Sequence, residues 1–426
     1  MYLIKNARLI KKDNGTVVQD IMIHEGKIIR IADVIEADCE SYDAKNCLVI
    51  PGGIDVHVHL REPGYTHKET IKTGTLAAAK GGYTTIMAMP NVLPYPDNVE
   101  VMIAYQKKIK QDALVNVYPY ACITKAEAGR EIVDMEALKA LGVTAFSDDG
   151  VGVQHVDMMC EAMSQAKTHD VMIVAHTEDM HYRKKTACMH EGKRNKQMQL
   201  VGIPSECEWK QVERDLKLAY ELKAKYHICH MSAKESVALL RKYQAMGADV
   251  SGEVTTHHLL LCEDDVKDAN DKMNPPLRSK ADREALLEGI ADGTIRIIAN
   301  DHAPHSEEEK AKGMVESPFG IVALETSIPL LYTHFVKSGI WTLEQFQNLI
   351  STNPAKRFGF ASKGKIKEGF DADLVVLGNS KQAIDKSKFV SKGKNTPFDG
   401  CVCEGFPMMT MVNGKIVYRE VKGEPK

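Results

Sequence analysis

No apolar run in this chain approaches the roughly 20 residues needed to cross a bilayer, and no stretch is strongly basic. No membrane span is therefore expected. With a net charge of −3, nucleic acid and anionic membrane surfaces are poor partners. Met1 to Ile10 mixes Lys and Arg with apolar residues and lacks a signal-peptide core. A cysteine framework is also missing. Ten cysteines are scattered, and the close pair Cys401 and Cys403 reads as two strand residues. Reduced thiols in a cytoplasmic protein are the simplest reading. What is present is the balance of a soluble globular protein, 44% hydrophobic and 27% charged over 426 residues. That length suits a barrel with an appendage.

Both ends of the chain are strand-rich. Leu3-Ile4, Ile21 to Ile23 and Ile28 to Ile31 are β-prone, with a hairpin-like turn at His24 to Lys27. Near the other end Asp373 to Leu377 is a strand, and Met409 to Val412 and Ile416 to Tyr418 flank the hairpin signal Asn413-Gly414-Lys415. One small β-sandwich domain built from 1–50 and 356–426 is the expectation, with 51–355 as the catalytic domain.

That middle region alternates strand and helix. The expected strands end near Val58, Met89, Ala121, Phe146, Ala175, Cys229, Val254 and Ala299. Between them lie helices such as Glu69 to Lys80, Val99 to Lys110, Glu131 to Leu141, Glu208 to Lys223 and Ala281 to Ala291. A long loop carries Met189 to Arg194. Eight βα units predict a (β/α)8 barrel of the TIM type. The rival, an open doubly wound sheet, lacks a Gly-rich dinucleotide fingerprint after its first strand.

In such a barrel the chemistry sits at the C-terminal ends of the strands. Asp55 to Gly64 closes the first strand, and period-two alternation points His57 and His59 to one side. Arg61 lies one more step along that face, where it could hold an anion. The fourth strand ends in Ser147-Asp148-Asp149, the fifth in His176, the sixth in His230 and the eighth in Asn300-Asp301. Four imidazoles and two carboxylates are too many for one tetrahedral ion with an open position, and they suit two. His57, His59 and Asp301 can hold one ion, and His176 and His230 the other. Asp149 or Asp148 can bridge them. Nitrogen and oxygen donors favour Zn²⁺, with Mn²⁺, Co²⁺ or Fe²⁺ as alternatives. Two such ions make hydroxide available near neutral pH. Asp301 is placed to take a proton during attack and hand it to a departing nitrogen. Hydrolysis of an amide-like bond, or its reversal, is the predicted chemistry.

The motifs at 55–64, 81–85, 88–91, 146–154, 174–179, 189–194, 229–232, 253–261, 272–278, 300–305 and 317–321 resemble those of the amidohydrolase superfamily. Within it they resemble the bacterial type I dihydroorotases, over nearly the whole chain. The resemblance implies reversible closure of N-carbamoyl-L-aspartate to L-dihydroorotate in pyrimidine biosynthesis, with one or two Zn²⁺ per subunit, two being the expectation. It makes Asp149 the bridge, where many relatives use a carboxylated lysine, and Asp301 the acid/base. Arg61, Asn91 and His305 become the clamp on the substrate carboxylate. Asn274, Phe319 and Gly320 become ring contacts, partly through backbone groups. Asn300 departs from the usual Ser or Thr and should point away. The resemblance also implies a homodimer, and association with aspartate carbamoyltransferase is a further expectation.

Other residues have plainer readings. His257, His258 and His302 are structural or support the site, Glu178 is loop-forming, and the Met pairs at 158–159 and 408–409 are packing. Ser306 to Glu316 is either a solvated loop or a mobile flap. Two further functional readings compete: another cyclic amidase, such as an allantoinase or hydantoinase, and an inactive scaffold. The carboxylate clamp argues against the first and the full ligand set against the second.

Overall fold

The computed structural model describes residues 1–11 and 15–420; the last six residues of the expected terminal domain, 421–426, lie outside the described residues. Eight parallel strands make up the central region. They are β1 (Gly53–Val58), β2 (Tyr83–Ala88), β3 (Asn116–Pro119), β4 (Ala145–Phe146), β5 (Met172–Ala175), β6 (Lys225–Ile228), β7 (Val250–Thr255) and β8 (Ile297–Ala299). β1 to β3 form one sheet and β4 to β8 another, each in sequence order. Isolated parallel bridges join the two: Ala121 with Phe146 at one seam and Val58 with His302 at the other. The expected strands and helices are present, with ends shifted by a few residues. The helix expected over 131–141 is shorter, Met135–Ala140, because Asp134 caps it by accepting from the Ala137 amide at 2.9 Å.

Two expected loops carry structure. In the first, Met189–His190 pairs with Gly202–Ile203, and a short helix, Lys193–Gln197, lies between. In the second, Glu307–Lys310 and Gly313–Glu316 are short helices. The buried Lys310 amino group donates to the carbonyls of Lys272, Pro318 and Gly320 at 3.3, 3.1 and 3.0 Å. Lys272 in turn donates to the Val315 and Ser317 carbonyls.

Strands from both ends of the chain pair in a single eight-stranded sheet. Leu48–Pro51 lies between Tyr2–Ile10 and Leu374–Leu377, and Pro407–Val412 and Lys415–Arg419 extend the second side. An apolar cluster of Ile4, Ile21, Val49, Leu374 and Met411 packs against this sheet. In the central region, strand side chains such as Ile54, Val56, Met87, Val174 and Ile297, with Tyr120 and Cys229 just past strand ends, form an inner cluster. A larger layer packs strands against helices and takes in Met159; Met409 is buried in the terminal sheet, so the Met pairs do contribute packing.

The first helix shows how local chemistry aims the first strand. Thr70 and Thr73 cap Ile71–Gly81 reciprocally. Gly82 then turns left-handed at φ 87°, a conformation that costs residues with a Cβ roughly 1–2 kcal/mol. Its carbonyl accepts from the Gly53 amide at 2.9 Å, tying the helix end to the start of β1. A Cβ there would sit 3.0 Å from Ile328 Cδ1 and 3.1 Å from Pro407 Cγ. Gly82→Ala should therefore lower unfolding free energy by about 2 kcal/mol, read from urea titration.

Below the mouth, buried polar groups fix the ends of β6 and β7. Arg278 donates to Ser232 Oγ at 2.7 Å, and approaches Glu208 at 3.4 Å and His190 Nδ1 at 3.5 Å. His258 Nε2 donates to the Pro275 carbonyl at 3.0 Å while its Nδ1 takes the Thr255 hydroxyl at 2.7 Å. Burial pushes both imidazoles down to about 4, helped for His190 by the Arg278 charge. Each folded value lies below the unfolded one, so the unfolded chain binds more protons between about pH 6.5 and 4. Stability of the metal-free protein should fall across that window as pH drops, by up to about 3 kcal/mol per imidazole, measured by denaturant titration at stepped pH.

Candidate metal centre

The six candidate ligands meet in one buried cluster at the C-terminal ends of β1, β4, β5, β6 and β8. Asp149 lies at its centre. Its Oδ1 is 3.4 Å from His57 Nε2, 3.8 Å from His176 Nδ1 and 3.9 Å from His230 Nε2; its Oδ2 is 3.4 Å from His59 Nε2. Asp301 Oδ1 lies 3.0 Å from His59 Nε2 and 3.5 Å from His57 Nε2. His176 and His230 face each other at 3.0 Å. Asp148, the other candidate bridge, turns away. It accepts from the amides of Ile123 and Thr124 at 2.7 and 3.0 Å and from the Thr124 hydroxyl.

Burial alone would raise the Asp149 pKa, but His57, His59 and His176 outweigh it and hold the carboxylate well below its usual range. The same contest leaves Asp301 lowered, through His57 and His59. Burial favours a neutral His57, yet Asp149 and Asp301 hold it well above the usual imidazole value. His230 is pushed down to about 4 by burial and by the neighbouring His176 and His57, which leaves it neutral and able to donate a lone pair. The carboxylates thus demand a cation, and without an ion that cation is a ring proton.

The donor set fits a metal. His57 Nε2 and Asp149 Oδ1 are buried, face each other, and have no hydrogen-bond partner among the described residues. Buried polar atoms are rarely left so, and an ion touching both would satisfy them. His57, His59 and Asp301 offer ligand atoms within 4.8 Å of one another, and His57, Asp149 and His230 do the same. Imidazole and carboxylate without thiolate is the donor chemistry of Zn²⁺-class ions. Three residues of the site hold left-handed backbone: Arg61 at φ 60°, His230 at 31° and Asp301 at 46°. Such strain costs about 1–3 kcal/mol each and gathers where function fixes geometry.

The candidate substrate residues ring this cluster. Arg61 Nη2 is 3.4 Å from His305 Nε2, which also lies 2.7 Å from the Phe319 carbonyl. Asn91 accepts from His59 Nδ1 at 2.9 Å and reaches Asp149 at 3.4 Å. Asn274 donates to Glu178 Oε2 at 2.9 Å and lies 3.4 Å from His176 Nε2. Gly320, at φ 136°, lets the chain pass close: a Cβ there would lie 2.6 Å from Ala303 Cβ and 3.0 Å from His305 Nε2. Its amide donates to the Lys272 carbonyl, and its carbonyl accepts from Lys310 and Asn395. The backbone groups expected to meet a substrate ring are therefore paired within the protein.

One carboxylate, Glu253, escaped sequence reasoning, and Glu178, expected to form loop, lies in the loop after β5 beside the cluster. Glu178 is buried, bonded to Arg183 and Asn274 and 3.4 Å from His176 Nε2, which leaves Nδ1 of that ring facing Asp149. Glu253 accepts from His57 Nδ1 at 2.8 Å. Its signal was present: Ser251, Glu253 and Thr255 are polar at alternate positions of a strand expected to be buried. Of the plainer histidines, His258 and His302 are held by hydrogen bonds as structural side chains. His302 Nδ1 accepts from the Ala323 amide at 3.1 Å, and Asn300 turns to the Tyr83 hydroxyl at 3.4 Å. His257 is buried with neither ring nitrogen partnered among the described residues.

A dihydro-orotase-like family model matches residues 46–236, and an amidohydrolase family model matches 338–418. The dihydroorotase of Bacillus cytotoxicus is 51% identical over 423 residues, 98% of each chain. That of Anoxybacillus flavithermus is 52% identical over 427 residues, 99% of each. Among solved structures, the L-hydantoinase (dihydropyrimidinase) of Arthrobacter aurescens superposes with a TM-score of 0.87 at 27% identity, covering 99% of this chain and 97% of that one. The dihydropyrimidinase of Brevibacillus agri gives 0.84 at 23% identity, with 98% and 95% covered, a likeness of fold. The fold is thus shared widely among cyclic-amide hydrolases, whereas full-length identity singles out one branch. The chain belongs to the dihydroorotase family.

Proposed function

We propose that this protein catalyses the reversible closure of N-carbamoyl-L-aspartate to L-dihydroorotate, a step of pyrimidine biosynthesis, with two Zn²⁺ per subunit. The observation that carries this reading is the Arg61–His305 pair, 3.4 Å apart, beside the metal-type groups of His57, His59, Asp149, His230 and Asp301, with His176 Nδ1 3.8 Å from Asp149 Oδ1. A cationic fork next to a metal centre selects a ring that bears a carboxylate. Hydantoin and allantoin carry none. The hydantoinase reading is kept as the alternative because those structures share the fold. An inactive scaffold would have lost ligands, and all six are here.

When bound, the ions supply Lewis acidity, polarising the ring amide and making hydroxide available near neutral pH. In our reading His57, His59 and Asp301 would hold one ion and His176 and His230 the other, with Asp149 as the carboxylate shared between them. In hydrolysis a water oxygen adds to the ring carbonyl, the C–N bond breaks, and the new carboxyl group loses the second water proton to solvent to become a carboxylate. Asp301 takes the water proton and returns it to the leaving nitrogen. Its Oδ1 is turned to the two imidazoles, which leaves Oδ2 to carry that proton. Arg61, Asn91 and His305 grip the carboxylate already on the substrate, while Asn274, Phe319 and Gly320 flank the ring. Cyclisation runs the same steps backwards.

The bridges at both seams support closing the eight strands into a barrel over 51–355, with 1–50 and 356–426 as a small β domain. No helix of the described residues is long and apolar enough to cross a membrane. A cytoplasmic homodimer, able to associate with aspartate carbamoyltransferase, completes the proposal.

Asp301→Ala should cut turnover in both directions by on the order of 10³-fold, assayed with dihydroorotate and with carbamoyl-aspartate; near-normal rates would remove its role. Arg61→Met should lower kcat/KM for dihydroorotate about 10²- to 10³-fold with zinc content unchanged. A parallel loss of zinc would make Arg61 structural. Activity on hydantoin or allantoin, with none on dihydroorotate, would favour the alternative.

A further inference from the structure

The inner cluster of the barrel region is apolar, lined by Ile54, Val56, Met87, Val174 and Ile297, with a file of polar side chains running beside it. Ser251 Oγ lies 2.7 Å from His227 Nδ1. His227 Nε2 lies 3.0 Å from Glu253 Oε2, and Glu253 Oε1 lies 2.8 Å from His57 Nδ1. His227, Glu253 and His57 are all 0% exposed. Phe358 closes the file from below, edge-on to the His227 ring at 5.3 Å. Glu253 Oε1 also accepts from the His230 backbone amide at 3.2 Å.

A carboxylate this deep is costly, and a well-packed apolar replacement would serve the fold as well or better. Its contacts point instead to the metal centre. By accepting from His57 Nδ1–H, Glu253 leaves the lone pair on Nε2, the atom that faces Asp149 and Asp301 at 3.4 and 3.5 Å. It also fixes the rotation of the ring. Through the amide of His230 it braces a residue held at φ 31°. One carboxylate therefore reaches a ligand from each half of the site. The file does not pass protons to substrate: with Nε2 given to a metal, a proton on Nδ1 of His57 has no path through the ring. It holds protons in place.

We propose that Glu253 is a positioning residue that sets the tautomer of His57 and the backbone of His230, and is itself held by His227, so that side chains deep in the barrel interior govern metal affinity. The proposal rests on the reading of His57 and His230 as ligands.

The test is Zn²⁺ affinity of the whole metal-stripped protein, measured by chelator competition, with far-UV circular dichroism of each metal-free variant. Glu253→Gln keeps the shape and loses the charge. It should remain folded and bind Zn²⁺ 10- to 100-fold more weakly. His227→Leu leaves Glu253 Oε2 unpaired and should weaken binding several-fold, whereas His227→Gln restores a donor and should recover most of that loss. Wild-type affinity in folded Glu253→Gln would overturn the proposal. If that variant does not fold, equal and undiminished affinities in the two His227 variants would overturn it. His57→Asn separates the two readings. Undiminished Zn²⁺ binding there would refute the ligand assignment, while loss there with retention in Glu253→Gln would refute the positioning role alone.

Discussion

Two ionised carboxylates in a buried place, Asp149 and Asp301, set the terms for everything around them. Water reaches them poorly, so their charge must be met by neighbours. The four imidazoles meet it within 4 Å. Imidazoles can do so either as cations or as ligands that share a cation. A proton on His57 balances one charge at one point, whereas a metal balances several ligands together. The neutral, depressed His230 favours the second arrangement, because a ring that resists protonation remains a donor.

Such a cluster could be assembled only on a rigid frame. Parallel strands deliver it, because their C-terminal ends bring the six side chains together and period-two alternation aims them. The left-handed backbone at Arg61, His230 and Asp301 shows that delivery is not free. Each strained residue comes just after a strand, where the chain leaves the regular ladder. The strain is held by contacts on both sides, as at His230, whose amide is taken by Glu253.

Much of this was legible in the sequence. His57, His59, Asp149, His176, His230 and Asp301 all follow apolar strand patterns, so strand-end position alone gathered them. Strand-end reading put Asp149 ahead of Asp148 and the resemblance agreed; in the structure the amides of Ile123 and Thr124 claim Asp148. Glu253 went unread and Glu178 was read as loop alone. Glu253 lies within a strand, where period-two alternation announces burial but not a charge, and its partners are 196 and 26 positions away. Glu178 looked like loop because its burial depends on Arg183 and Asn274, which no periodicity connects. The segment at 189–203 lacked a pattern long enough to announce its two-residue strands.

The two buried lysines under the mouth bear on how a substrate could enter. Lys310 and Lys272 together grip carbonyls at 315, 317, 318 and 320. The stretch from Ser306 to Gly320 is thereby stitched to itself and to the segment at 272. Thread tied at several points along its length does not flutter. If this piece moves, it swings as one plate, carrying Phe319 and Gly320 with it, and its hinges must lie beyond the last stitch. Any motion of the segment away from residue 272 would have to break those hydrogen bonds together.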